Sequence, residues 1–186
     1  PMSHGYIVIE AQQLASDVTG GETYSGTVFR MTVDIDAGGV SVGTDEKPFS
    51  GIFDGDGHTL TYNRGESTSE GVTYVSDICA PFIKLNGATI RHLRVTGSIY
   101  SSHMHCAGLA SKIGGGQPST IHDCHVSCHL SAASNLIGDS SFGGLVGIVE
   151  GDNTALTITN CTFTGYITGW ASHFGGFVGW TDAPIA

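Results

Sequence analysis

Apolar and polar positions alternate with a period of two through the second half of the chain. In TIRHLRVTGSIY (89–100), Leu93, Val95, Gly97 and Ile99 fall on one side, and Arg94, Thr96 and Ser98 on the other. The pattern returns in TIHDCHVSCHLS (120–131), with Cys124, Val126, Cys128 and Leu130, and in TITNCTFTGYIT (157–168), with Cys161, Phe163, Gly165 and Ile167. Successive strand side chains point to opposite faces, so these residues predict three strands that line one interior. A second phrase is interleaved with the first: HCAGLAS (105–111), SFGGLVG (141–147) and HFGGFVG (173–179). Two phrases in fixed alternation predict an all-β solenoid, a parallel β-helix whose coils lie about 4.8 Å apart. Like residues then stack into ladders: Leu93 with Cys124 and Cys161, Val95 with Val126 and Phe163, Ile99 with Leu130 and Ile167.

The opening differs. The stretch IVIEAQQLASDV (7–18) begins apolar and continues with Ala11, Leu14, Ala15 and Val18 at helical spacing, until Gly20 and Gly21 stop it. TVFRMTVDID (27–36) alternates and predicts one strand. A short helix here would cap the stack, whose end otherwise exposes apolar surface and open strand edges. FSGIFDG (49–55) aligns with the later glycine phrase, CAPFIK (79–84) is a further copy, and the polar residues 64–76 predict an excursion between coils. The expected organisation is therefore a cloning remnant or disordered lead-in over 1–6, an N-terminal cap of helix plus strand over 7–46, and β-helix coils over 47–186, cut short at the C-terminus.

Composition narrows the partners. The formal net charge is −10, and no Lys or Arg follows Lys112. Such a surface repels phosphate backbones and anionic headgroups, which argues against nucleic acid. No apolar run is long enough to insert in a membrane as a helix. The five cysteines cannot all pair. Cys124 and Cys161 share the slot that holds Leu93, and Cys79 corresponds to Cys106, so buried thiols are expected, with a disulfide between neighbouring coils as the alternative.

The phrases SFGGLVG and HFGGFVG, each preceded by a TIxN/DCxV/FxG/C phrase, resemble the GLUG repeat of large bacterial surface proteins. That repeat also occurs in the non-catalytic part of some IgA-specific metallopeptidases and in adhesin-like proteins of gut bacteria. FSGIFDGDGHTL (49–60) and MTVDID (31–36) resemble the usual lead-in, so the resemblance runs from Ile7 to Trp180. It implies a right-handed, single-stranded parallel β-helix, exported to the cell surface or secreted, with no catalytic residues in the repeats. The chain departs from the pattern at Ala107, Ser111 and Cys128, which stand where other copies have glycine. No HExxH motif is present, so the zinc-peptidase chemistry of the larger proteins is not expected here.

Several groupings invite a chemical reading. HDCHVSCH (122–129) has three histidines and two cysteines, but His125 and His129 lie about 13 Å apart along a strand, too far for one zinc ion. His103 and His105 could chelate with a third group such as His173, although surface histidines are the simpler reading. DGDGH (54–58) lacks the later ligands of a calcium loop and predicts a tight turn. His92, Asp123 and Asn160 share one corner, where short polar side chains bond to nearby backbone. The outward rungs carry no carboxylate, and Asp54 with Asp56 forms no cleft, which disfavours a glycosidase or lyase. GGLVG (143–147) lacks the Lys of a phosphate loop.

The sequence thus predicts no catalytic residue, no metal and no cofactor. It predicts an adhesin-like display rod on the bacterial exterior, with a Ser/Thr/Tyr/His face that can bind a host glycan or protein and an open end or edge that can self-associate. A carbohydrate-active β-helix enzyme, or its substrate-binding accessory, is the alternative. On the display rod, Trp170 and Trp180 near the C-terminal end could stack on sugar, although rim packing is their expected role.

Overall fold

The computed structural model describes residues 2–3, 6–9, 22–134, 136 and 138–186. Among these residues the protein is all-β, and its short strands are mostly parallel. The seven-stranded sheet runs in chain order through Met2–Ser3, Tyr6–Ile9, Val28–Met31, Ile52–Asp54, Thr89–Arg91, Ser119–His122 and Leu156–Thr159. Only its first pair is antiparallel. A six-stranded sheet holds Ile35–Asp36, Thr59–Thr61, Arg94–Ser101, His125–Ala132, Thr162–Phe163 and Tyr166–Gly169. A three-stranded sheet holds His105–Ala107, Ser141–Gly143 and His173–Gly175. A four-stranded sheet holds Phe82–Leu85, Ala110–Ile113, Val146–Val149 and Val178–Thr181.

From Thr89 onward the chain visits these sheets in one repeating order: seven-, six-, three- and four-stranded. Each pass lies in register on the one before. Phe53 pairs with Ile90, Ile90 with Ile121 and Ile121 with Ile158. Leu60, Val95, Val126 and Phe163 form a second column, and Ile99, Leu130 and Ile167 a third. The period-two alternation explains the burial. Leu93, Cys124, Val95, Val126, Ile99 and Leu130 are buried, while Arg94, His125 and Ser127 are exposed. Cys161, Phe163 and Ile167, in the last pass, are only partly covered because they have a neighbour on one side. Phe29, Phe49, Phe53 and Phe82 fill the earlier passes with ring centroids 5.1–6.0 Å apart.

Two devices turn the chain at its corners. His92, Asp123 and Asn160, with φ of 49°, 54° and 49°, adopt the left-handed conformation that His, Asp and Asn tolerate best. At Gly144 the backbones approach so closely that a Cβ would collide with the Gly176 carbonyl and the Phe163 ring. Glycine is required there by contact with the next pass.

The structure departs from the expected elements in three places. TVFRMTVDID is two strands, Val28–Met31 and Ile35–Asp36, which belong to different sheets. The chain turns between them, and the Asp34 carboxylate accepts the Thr59 N–H at 2.9 Å. Residues 7–9 form part of a strand parallel to Val28–Met31, so stacked pairing begins upstream of residue 47. The helix expected over Ala11, Leu14, Ala15 and Val18 lies outside the described residues. The excursion over 64–76 contains an exposed antiparallel hairpin, Glu66–Thr68 with Gly71–Thr73. No described helix is long and apolar enough to cross a membrane.

Candidate binding face and corner site

The outer face of the six-stranded sheet carries a ladder of rings. Tyr74 packs edge-on against Tyr100 at 6.3 Å, and Tyr100 against His129 at 5.3 Å. His129 stacks on Tyr166 at 4.1 Å with an interplanar angle of 22°. The ladder arises because Ser98, His129 and Tyr166 occupy one register position, with Tyr100 just beyond it. Hydroxyls border the rings: His129 Nε2 lies 3.1 Å from Thr168 Oγ1, and His125 Nδ1 lies 2.8 Å from Thr162 Oγ1. Burial lowers the His129 pKa, which favours a neutral, stackable ring. Tyr166 is 61% exposed and Trp170 73% exposed, so Trp170 projects into solvent where rim packing was expected. A flat face of rings and hydroxyls can meet the C–H surface of a sugar and bond to its hydroxyls.

A cavity of about 450 Å³ opens across three successive passes and brings ionisable groups together. Val149 and Thr181 are in register, so Glu150 and Asp182 follow them on neighbouring passes, and both line the cavity with Asp139. His105 and His173 lie on the same wall, separated in register by Ser141. Trp180 closes one side, 6.2 Å from the His173 ring. His105 Nδ1 lies 2.8 Å from Ser141 Oγ. Burial first, then Lys112 and His103, push the His105 pKa down to about 4. His173 Nδ1 is buried with no hydrogen-bond partner. His103 Nδ1 accepts the His105 N–H at 3.1 Å, so this nitrogen is committed to the backbone.

The corner that links the seven- and six-stranded sheets holds a connected polar network. Asp54, 5% exposed, accepts Arg91 Nε at 3.0 Å and the Asp56 N–H at 3.0 Å, and faces His92 Nδ1 at 3.0 Å. Burial opposes its ionisation, but those bonds hold its pKa below the usual carboxylate value. Asp56 turns away to Arg30 at 2.5 Å, so the two aspartates of DGDGH serve different cations. One pass further on, His122 Nδ1 lies 2.7 Å from Asp123 Oδ2, and His92 Nε2 lies 3.7 Å from the same oxygen. Asn160 donates its amide to Asp123 Oδ1. His122 first, then Asn160, hold the Asp123 carboxyl below its ordinary pKa.

Reading along the strand placed the histidines of 122–129 too far apart, and the structure keeps them so. His125 and His129 bond separately to Thr162 and Thr168. The groups that do meet, His92, His122 and Asp123, come from neighbouring passes, each offering one ligand atom within 4.8 Å of the others. The signal was the shared corner position of His92 and Asp123, which brings in His122 as the preceding residue.

All five cysteines are free thiols, including the in-register pair Cys79 and Cys106. Comparison with family models, curated proteins and solved structures returned no match.

Proposed function

We propose that the chain winds as a right-handed parallel β-helix of the GLUG-repeat kind and serves as a non-catalytic, adhesin-like module on the bacterial surface or in secreted form. Its outer face binds a glycan of the host. The observation that carries this reading is the Tyr74–Tyr100–His129–Tyr166 ring ladder, flanked by threonine hydroxyls and open to solvent at Tyr166. Uniform passes with parallel registers support the winding, since each strand meets its counterpart one coil later. Few cations and a net charge of −10 suit a neutral glycan better than a polyanionic one.

The test is binding of the purified protein to an array of neutral glycans, followed by titration calorimetry on any that bind. Tyr166→Ala and His129→Ala should each weaken binding at least tenfold while the circular dichroism spectrum stays unchanged. Binding that ignores both substitutions would remove the ring ladder from the reading.

A second reading has its own support. Glu150 and Asp182 from adjacent passes share a cavity with His105, His173 and Trp180, which is the kind of convergence a carbohydrate-active enzyme needs. Depolymerisation of a polysaccharide by the wild type, abolished by Glu150→Gln, would replace the non-catalytic reading with this one.

A further inference from the structure

We propose that His92, His122 and Asp123 form a zinc site that ties two neighbouring passes together at the corner. The three side chains offer two imidazole nitrogens and one carboxylate oxygen, a donor set that suits zinc and not the all-oxygen cations calcium or magnesium. Their ligand atoms all lie within 4.8 Å of one another, and two of the separations are 2.7 and 3.7 Å. Ligands on a tetrahedral zinc at 2.0–2.1 Å sit about 3.3 Å apart. Small side-chain rotations therefore suffice.

The surrounding bonds orient the required atoms, and zinc would replace one of them, the 2.7 Å contact between His122 Nδ1 and Asp123 Oδ2. His92 Nδ1 faces the buried Asp54 carboxylate at 3.0 Å, which fixes the ring and turns the Nε2 lone pair toward Asp123. A carboxylate behind a metal-binding imidazole is the usual supporting arrangement. Arg91 and the Asp56 N–H anchor Asp54 in turn. On the far side Asn160 occupies Asp123 Oδ1, so Oδ2, which now meets His122 Nδ1, is the oxygen that turns to the ion. The site needs both passes, because His92 comes from one and His122 and Asp123 from the next. With side chains 27–45% exposed, three protein ligands leave the fourth position open to water or an outside donor.

The experiment uses the intact protein and zinc chloride alone, by calorimetry, with cobalt(II) absorption as a reporter of tetrahedral geometry. The expected result is one zinc per chain, a dissociation constant in the micromolar range or below, and a raised thermal midpoint that calcium and magnesium do not reproduce. His92→Asn and Asp123→Asn preserve residues that tolerate the left-handed corner and should each weaken zinc at least tenfold. Asp54→Asn, a change in a positioning residue, should weaken zinc about 10–100-fold and alter the cobalt spectrum. A His103→Ala/His105→Ala double variant should bind as the wild type does. Zinc affinity unchanged in His92→Asn and Asp123→Asn, or lost in the His103/His105 variant, would overturn the assignment. So would equal binding of calcium.

Discussion

Cys124 and Cys161 hold the same place in successive passes, yet their thiols shift in opposite directions. The contact with Cys161 and then burial push Cys124 up, whereas Cys161, which accepts the Cys124 thiol and is half-buried, is pulled down. Burial raises Cys79 to about 11 and Cys128 to about 12, and also lifts Cys106. Since the thiolate is the nucleophile, Cys161 should react with iodoacetamide at pH 8 well before the other four. Peptide mapping after partial labelling checks this, and Cys161→Ser should remove the fast phase. Equal labelling of Cys128 and Cys161 would contradict the burial described here. The slot itself was legible in the sequence, because a position that accepts Leu93, Cys124 and Cys161 must be apolar. The difference between the thiols was not, because it depends on which pass covers which. The same holds at the corner: HDCHVSCH looks like a site along the chain, while only its first two residues take part, and they meet His92 of the pass before.

At the scale of the strand, the alternation placed inward and outward residues from Leu93 to Ile167 because a two-residue period leaves one assignment of faces. It misled over 27–36, where Phe29, Met31, Val33 and Ile35 keep the alternation although the chain bends. Val33 is exposed there, and the two halves enter different sheets. A corner costs the pattern nothing if an apolar residue happens to sit at the bend. Glycine gives a sharper test of how strands stack. At Gly144 a methyl group would meet the next backbone and the Phe163 ring, while at Gly176, in the same phrase, nothing lies within 4 Å. Gly144→Ala should therefore destabilise by about 1–3 kcal/mol, as overpacking does, and Gly176→Ala by much less. Urea unfolding of the two variants checks the difference, and equal losses would mean that the close approach is not what selects glycine.

Across the whole molecule, the histidines and aspartates that stand apart from their ordinary values are all shifted down. Burial keeps His103 and His105 neutral, with His105 at about 4 against 6.5 for a free side chain. The unfolded chain therefore takes up protons first, and stability falls as pH drops from about 6.5 toward 4. Asp45 is held low by Lys112 and Lys84 against the opposing effect of burial, and Asp34 by the Thr59 N–H and His58. Their contribution is present above about 3.9 and is lost as pH falls through their lowered values. Thermal midpoints should decline in two stages below pH 6.5, and His105→Gln should flatten the first stage. A midpoint that rises on acidification to pH 5 would contradict this account.

The corner between Leu130 and Ser141 is longer than its counterparts between Ile99 and His105 and between Ile167 and His173, yet the strands on either side return to register. New sequence can thus be written at its exposed positions, Ser134, Gly138 and Asp139, while Ala132, Ala133 and Ser140 stay in the interior.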